Sequence, residues 1–245
     1  MPLKIVVAMW YDEGIKEYGD FNYIINKCYC DKHGYEIVKS SETRYKNNER
    51  SKHWERLPLL LDILSKDNPD YVVWIDADAH FYIDAPPLDL VINRFPTRKL
   101  ILSGDFVIKN TPWEINSGFF IVKNCKECVN ILKAWAYSDR LKNISDKYYI
   151  YGNFNDQQVI RFMYDKNILN VKNESVVIPY GKLQHFHKND KNVSFIRHLA
   201  GFNKIERINH CREYYNSIIR SRQKLLQDKS SHTQSYKKNM PLVFH

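Results

Sequence analysis

Two aspartates at the end of a strongly apolar strand constrain this chain more than any other feature. Tyr71-Val-Val-Trp-Ile-Asp76-Ala-Asp78-Ala-His80-Phe81 delivers two carboxylates separated by one small residue. Positions i and i+2 of a strand face the same side. Two carboxylates on one face repel each other and are costly to desolvate unless a cation lies between them, so the spacing predicts a divalent metal. The plainer alternative is that both aspartates only solvate the exit of the strand.

The surrounding elements say what kind of sheet would carry that strand. Leu3 to Trp10 is a nearly continuous apolar run, as expected of a parallel strand covered on both faces. Tyr18 to His33 predicts a helix ending near Gly34, and Tyr35 to Lys39 a second strand. Trp54 to Leu64 carries apolar residues at helical spacing, with Pro58 tolerated in the first turn. Further strands are expected at Lys99 to Ser103 and Ile115 to Lys123, and helices at Cys128 to Tyr137 and Asp156 to Tyr164. Strands alternating with helices predict an α/β fold with a mostly parallel, doubly wound sheet, which binds ligands at the carboxyl ends of its strands. Asp76 and Asp78 stand at such an end.

Length allows one large core or two small ones in 245 residues, and no linker or repeat marks a cut. One domain over 1–215 is expected, with a basic helical extension and tail over 216–245. Across the start of that extension Tyr214 to Gln227 reads as a solvated helix, with docking to an anionic acceptor, a membrane surface or a partner as alternatives. No stretch approaches the roughly 20 apolar residues that span a bilayer, and Met1 to Trp10 lacks a signal-peptide core, so a soluble, cytoplasmic protein is expected. Five cysteines argue for buried thiols in a reducing compartment, and Cys125-x-x-Cys128 lacks the second matched pair a zinc site needs. The net charge of +9 suits an anionic ligand, but no nucleic-acid motif accompanies it, and none is expected as a partner.

Three further segments carry candidate chemistry. Asn116-Ser117-Gly118 sits at the mouth of an apolar strand, where Gly118 would allow a ligand close to the backbone and the polar pair could bond a sugar; an ordinary turn explains it equally well. Asn155 stands three residues before Gln158, the spacing of a capping box, so Asp156 and Gln157 are either helix-terminal residues or polar groups beside a reacting carbon. His198 would complete a two-carboxylate, one-imidazole set suited to Mn²⁺, in competition with His185 and His187.

Taken in order, Trp54-Glu-Arg56, Trp74-Ile-Asp76-Ala-Asp78-Ala79, Asn116-Ser-Gly118, Asp156-Gln157 and His198-Leu-Ala-Gly201 resemble a family of retaining glycosyltransferases with the GT-A fold. That family holds plant xyloglucan xylosyltransferases and fungal α-galactosyl and α-mannosyl transferases, and the resemblance runs from about Lys4 to Tyr215. It implies a GT-A-type, Rossmann-like nucleotide-diphospho-sugar transferase domain. It implies that Asp76, Asp78 and His198 hold Mn²⁺, with Mg²⁺ the alternative ion. Ala8, Met9 and Trp10 would hold the base and ribose, and Trp54, Arg56, Ala77, Gly201 and Lys204 would complete the donor site. Asn116, Ser117 and Gly118 would line the sugar or acceptor region, with Asp156 and Gln157 as catalytic groups at the anomeric carbon. Arg56 stands where the family usually shows lysine, and no apolar stretch in these residues matches the membrane anchor common in its eukaryotic members, so location and acceptor are not carried over from the resemblance.

The expected activity is transfer of a hexose or pentose from a UDP- or GDP-sugar to a hydroxyl of a glycan or glycoconjugate acceptor, Mn²⁺-dependent and retaining. A homodimer is among the assemblies this allows. Two other classes fit the aspartates alone: a phosphatase of the haloacid-dehalogenase type, which uses one carboxylate as nucleophile, and a catalytically silent nucleotide-sugar or glycan-binding domain.

Overall fold

The computed structural model describes residues 2–45, 51–105, 115–137, 155–186 and 195–238. The fold is mixed α/β around a central six-stranded sheet in the order β2-β1-β3-β6-β5-β7. Its strands are β1 (Ile5–Trp10), β2 (Glu36–Ser40), β3 (Tyr71–Ile75), β5 (Leu100–Gly104), β6 (Ile115–Lys123) and β7 (Ser175–Ile178). Short strands β4 (Ala79–Phe81), β8 (Gln184–His185) and β9 (Ile196–His198) form a second sheet, β4-β9-β8.

Unbroken apolar runs produce strands buried on both faces. Val6, Ala8, Val72, Trp74, Phe120 and Val122 point into one core layer, and Ile5, Val7, Met9, Val73, Ile75, Phe119 and Ile121 into the other. The first layer is covered by α2 (Arg56–Lys66), α4 (Lys126–Ala136) and α5 (Asp156–Asp165) through Leu60, Ile131, Trp135 and Val159. The second is covered by α1 (Lys16–His33), α3 (Leu88–Arg94) and α7 (Lys204–Lys238) through Tyr29, Leu88, Ile208 and Cys211. Each fully buried aliphatic side chain contributes about 1.5–3 kcal/mol relative to exposure. The short helix α6 (Val171–Glu174) leads into β7. No described helix is long and apolar enough to cross a membrane.

The central sheet is mostly parallel, as expected, and the one reversed strand is β6, which runs antiparallel to both neighbours, β3 and β5. The reversal brings the start of β6 to the end of β3, with Ile75 opposite Phe119. Asn116, Ser117 and Gly118 therefore meet Asp76. Helix α1 ends as predicted at Gly34, which adopts φ +75° where a side chain would be strained. Helix α7 starts well before Tyr214. A reciprocal cap opens it: Asn203 Oδ1 accepts from Glu206 N at 3.0 Å and Glu206 Oε2 accepts from Asn203 N at 3.2 Å. The helix then runs unbroken through positions 215 and 216.

Candidate active site

Asp76 leaves β3 at its carboxyl end, and a tight turn returns the chain into β4, so Asp78 follows within one turn. β4 pairs antiparallel with β9, with Ala79 opposite His198, which carries the imidazole back to the aspartates. His198 Nε2 lies 3.2 Å from Asp78 Oδ1 and 3.8 Å from Asp76 Oδ2. Its other ring nitrogen, Nδ1, lies 3.2 Å from Gln184 Oε1, which orients the ring. One ligand atom from each of Asp76, Asp78 and His198 falls within 4.8 Å of the others, and this is the one such cluster among the described residues. Two carboxylate oxygens and an imidazole nitrogen at this spacing fit a divalent cation. His185 instead stacks on Tyr82 at 5.8 Å, away from the aspartates, and His187 lies outside the described residues.

Two guanidinium groups flank the carboxylates. Arg56, 4% exposed, has Nη2 3.3 Å from Asp76 Oδ1 and Nε 3.3 Å from Asp156 Oδ2, and Nη1 donates to Ser117 O at 2.5 Å and Ser117 Oγ at 3.1 Å. Trp74 Nε1 donates to Asp76 Oδ1 at 2.7 Å. Arg207 of α7 has Nη2 2.9 Å from Asp78 Oδ2, donates to Tyr18 Oη and Leu199 O at 3.2 Å each, and lies over the Tyr18 ring. Burial opposes the charge on Asp78, but His198 and Arg207 outweigh it and hold the carboxyl at about 2. Burial likewise opposes a proton on His198, and Asp78 and then Asp76 overcome it and raise that pKa. For Asp156 burial wins over Arg56, and the carboxyl is raised.

These groups sit where two lobes of a cleft meet. The larger lobe, about 440 Å³, is lined by Trp10, Asp12, Tyr18, Lys52, Trp74 and Ala77, among others. The smaller, about 220 Å³, is lined by Asn116, Ser117, Asp156, Gln157, His198 and Gly201, among others. His53, Arg56, Asp76, Asp78 and Arg207 border both.

Several residues singled out in the sequence thus converge, and several do not. Ala8 and Met9 are fully buried inside β1 and Trp54 is packed into the core, so of the first strand only Trp10 reaches the cleft. Gly118 does not border the cleft: a Cβ there would stand 2.2 Å from His198 Cε1, so the glycine makes room for the imidazole rather than for a ligand. Lys204 points to the rim, with Nζ 3.3 Å from the Gly14 carbonyl. Asn155 forms the complete capping box with Gln158, which leaves the Asp156 carboxyl free of the capping role. Gln157 Oε1 accepts from Ser117 N at 2.9 Å and joins α5 to β6. Sequence reasoning missed Arg207, Tyr18, His53 and Asp12. Asp12 carried a usable signal, since it lies just past the carboxyl end of β1; Arg207 carried none outside the helix face it shares with buried Cys211.

The family model described as "Protein of unknown function, DUF273" matches residues 26–147. The chain is 34% identical over 112 residues to "Probable glycosyltransferase 2" of Oryza sativa subsp. indica, covering 44% of this chain and 22% of that protein. It is 29% identical over 130 residues to "Xyloglucan 6-xylosyltransferase 4" of Arabidopsis thaliana, covering 51% of this chain and 25% of that one. The matches thus span a quarter or less of those relatives. Among solved structures, a glycosyltransferase involved in the glycosylation of the major capsid of PBCV-1 superposes with a TM-score of 0.68 at 16% identity, over 86% of this chain and 99% of that one. In sequence over about half of its length and in fold over most of it, the chain resembles the GT-A glycosyltransferases that include the xyloglucan xylosyltransferases.

Proposed function

We propose that this chain is a retaining glycosyltransferase that moves a hexose or pentose from a UDP- or GDP-sugar to an acceptor hydroxyl, using Mn²⁺. The observation that carries this reading is the convergence of Asp76, Asp78 and His198 at the junction of two cleft lobes in a GT-A fold. When bound, Mn²⁺ supplies Lewis-acid neutralisation of the departing diphosphate.

The chain's own residues divide the remaining work. The lobe with Trp10 and Tyr18 has aromatic faces for a base and ribose. Arg56 and Arg207 border both lobes and add positive charge where charge develops on the phosphate oxygens. Two guanidiniums face three carboxylates here, Asp76, Asp78 and Asp156, so a divalent cation tips the junction to surplus positive charge that suits a diphosphate. The lobe with Asn116, Ser117, Asp156 and Gln157 would hold the sugar. Asp156 is 2% exposed and paired with Arg56, which favours an orienting role over covalent attack and supports same-face substitution.

The test is a nucleotide-sugar panel with and without Mn²⁺, following release of free UDP or GDP, repeated with Asp76→Ala and Asp78→Ala. Metal-dependent release lost in both variants is expected. Release from no donor, alongside Mg²⁺-dependent cleavage of a small phosphoester, would replace this reading with the phosphatase.

A further inference from the structure

The turn that carries the two aspartates is held from behind, by α1. Asn22 and Asn26 lie one helical turn apart on a shared face, and both are completely buried. Asn22 Nδ2 donates to the carbonyl of Ala77, the residue between the aspartates, at 2.7 Å. Asn26 Nδ2 donates to the Ala79 carbonyl at 3.1 Å, and its Oδ1 accepts from Phe81 N at 2.9 Å. β4 is an edge of the three-stranded sheet, so the side-chain amide of Asn26 serves its open side as a neighbouring strand would.

Other bonds complete the restraint. Asp76 N donates to Gly118 O at 2.8 Å, Ala79 N to Asp76 O at 3.0 Å, and Leu199 N to Asp78 O at 2.8 Å. Every carbonyl from Asp76 to Ala79 is therefore hydrogen-bonded. The asparagines are held in turn. A carbonyl can only accept, so Asn22 must present its amide nitrogen to Ala77 and its oxygen to His80 Nδ1, 2.9 Å away, and to Cys211 Sγ, 3.2 Å away. His80 stacks on Tyr214 at 4.7 Å, which ties α7 to the same network.

We infer that Asn22 and Asn26 are positioning residues for the cation site, setting the separation and facing of Asp76 and Asp78 before a cation arrives. This rests on the reading of Asp76, Asp78 and His198 as cation ligands. A loosely held turn would relax by swinging two like charges apart, and the clamp prevents that. Partners that orient metal ligands typically change affinity by about 10–100-fold when removed.

The experiment measures Mn²⁺ affinity from loss of the free-ion EPR signal, with the melting temperature recorded in parallel. It compares the wild-type chain, Asn22→Ser, Asn26→Ser and Tyr29→Phe, each below its own melting temperature. Serine is one bond shorter than asparagine and loses reach to the Ala77 or Ala79 carbonyl while keeping a hydroxyl. Tyr29 lies on the same helix and donates to the Pro86 carbonyl at 2.7 Å, away from the turn, so its variant reports general loosening of α1. The expected result is a Kd raised about tenfold or more in both serine variants, with Tyr29→Phe lowering the melting temperature and leaving Kd unchanged. Serine variants that bind like wild type, or a Tyr29→Phe loss as large as theirs, overturn the inference; should one serine variant fail to fold, the other decides. A wild-type chain that takes up no Mn²⁺ overturns the metal reading and the inference together, whereas wild-type binding with unaltered variants overturns the inference alone.

Discussion

Gly118 and His198 occupy adjoining space so closely that neither position tolerates a larger neighbour: a Cβ at 118 would stand 2.2 Å from His198 Cε1 and 2.9 Å from its Nδ1. Gly118→Ala must therefore push the imidazole away from Asp76 and Asp78 or strain β6. Such overpacking typically costs about 1–3 kcal/mol. The expected outcome is a modest loss in urea stability and a loss of Mn²⁺ binding out of proportion to it. An alanine variant with wild-type metal affinity would show either that β6 gives way in place of the imidazole or that His198 is not a ligand.

Arg56 is the sole described cation within ion-pair distance of Asp156, and both side chains are nearly inaccessible. Removing one partner of a buried pair leaves an uncompensated charge, which typically costs about 3–5 kcal/mol. Arg56→Met should lower unfolding free energy by about that much where the Asp156 carboxyl is ionised, and by less at acidic pH, where that carboxyl, raised by burial, takes a proton. Arg56→Lys should fall between, since an ammonium cannot reach Asp76, Asp156 and Ser117 together. Chemical denaturation at two pH values checks this.

His80 makes stability depend on pH with a definite sign. Burial lowers its pKa from 6.5 to about 3, so below 6.5 the unfolded chain binds a proton that the folded chain refuses. Its contribution is complete above 6.5 and is lost as pH falls toward about 3, at up to about 1.4 kcal/mol per pH unit. His80→Gln should remove that part of the slope, measured by urea unfolding across the range.

A bound cation should stabilise the fold by mass action, about 2.7 kcal/mol at a hundredfold excess over Kd. Thermal unfolding of the wild-type chain is expected to shift upward with Mn²⁺, and Asp78→Asn to abolish the shift. An equal shift in the variant would place the ion elsewhere.

Arg207, not Lys204, should govern donor affinity, because Arg207 borders both lobes while Lys204 reaches the Gly14 carbonyl at the rim. Arg207→Gln is expected to weaken UDP or GDP binding at least tenfold, about 1.4 kcal/mol, and Lys204→Gln much less. Calorimetric titration in the presence of Mn²⁺ distinguishes them.

Local information determined much of this protein. The apolar runs of β1, β3 and β6 specify buried strands, Gly34 ends α1, Asn155 and Gln158 open α5, and Asp76 with Asp78 marks a strand end, because each depends only on period, capping or charge spacing. Tertiary structure alone decided the rest. The reversal of β6 that brings Ser117 to Asp76, the pairing of β4 with β9 that delivers His198, and the docking of α7 that adds Arg207 all join residues far apart in the chain. So does the burial of Ala8, Met9 and Trp54 away from the cleft. Strand direction, side-chain reach and burial are set by which surfaces pack against each other, and that competition among distant segments leaves no periodic trace along the chain.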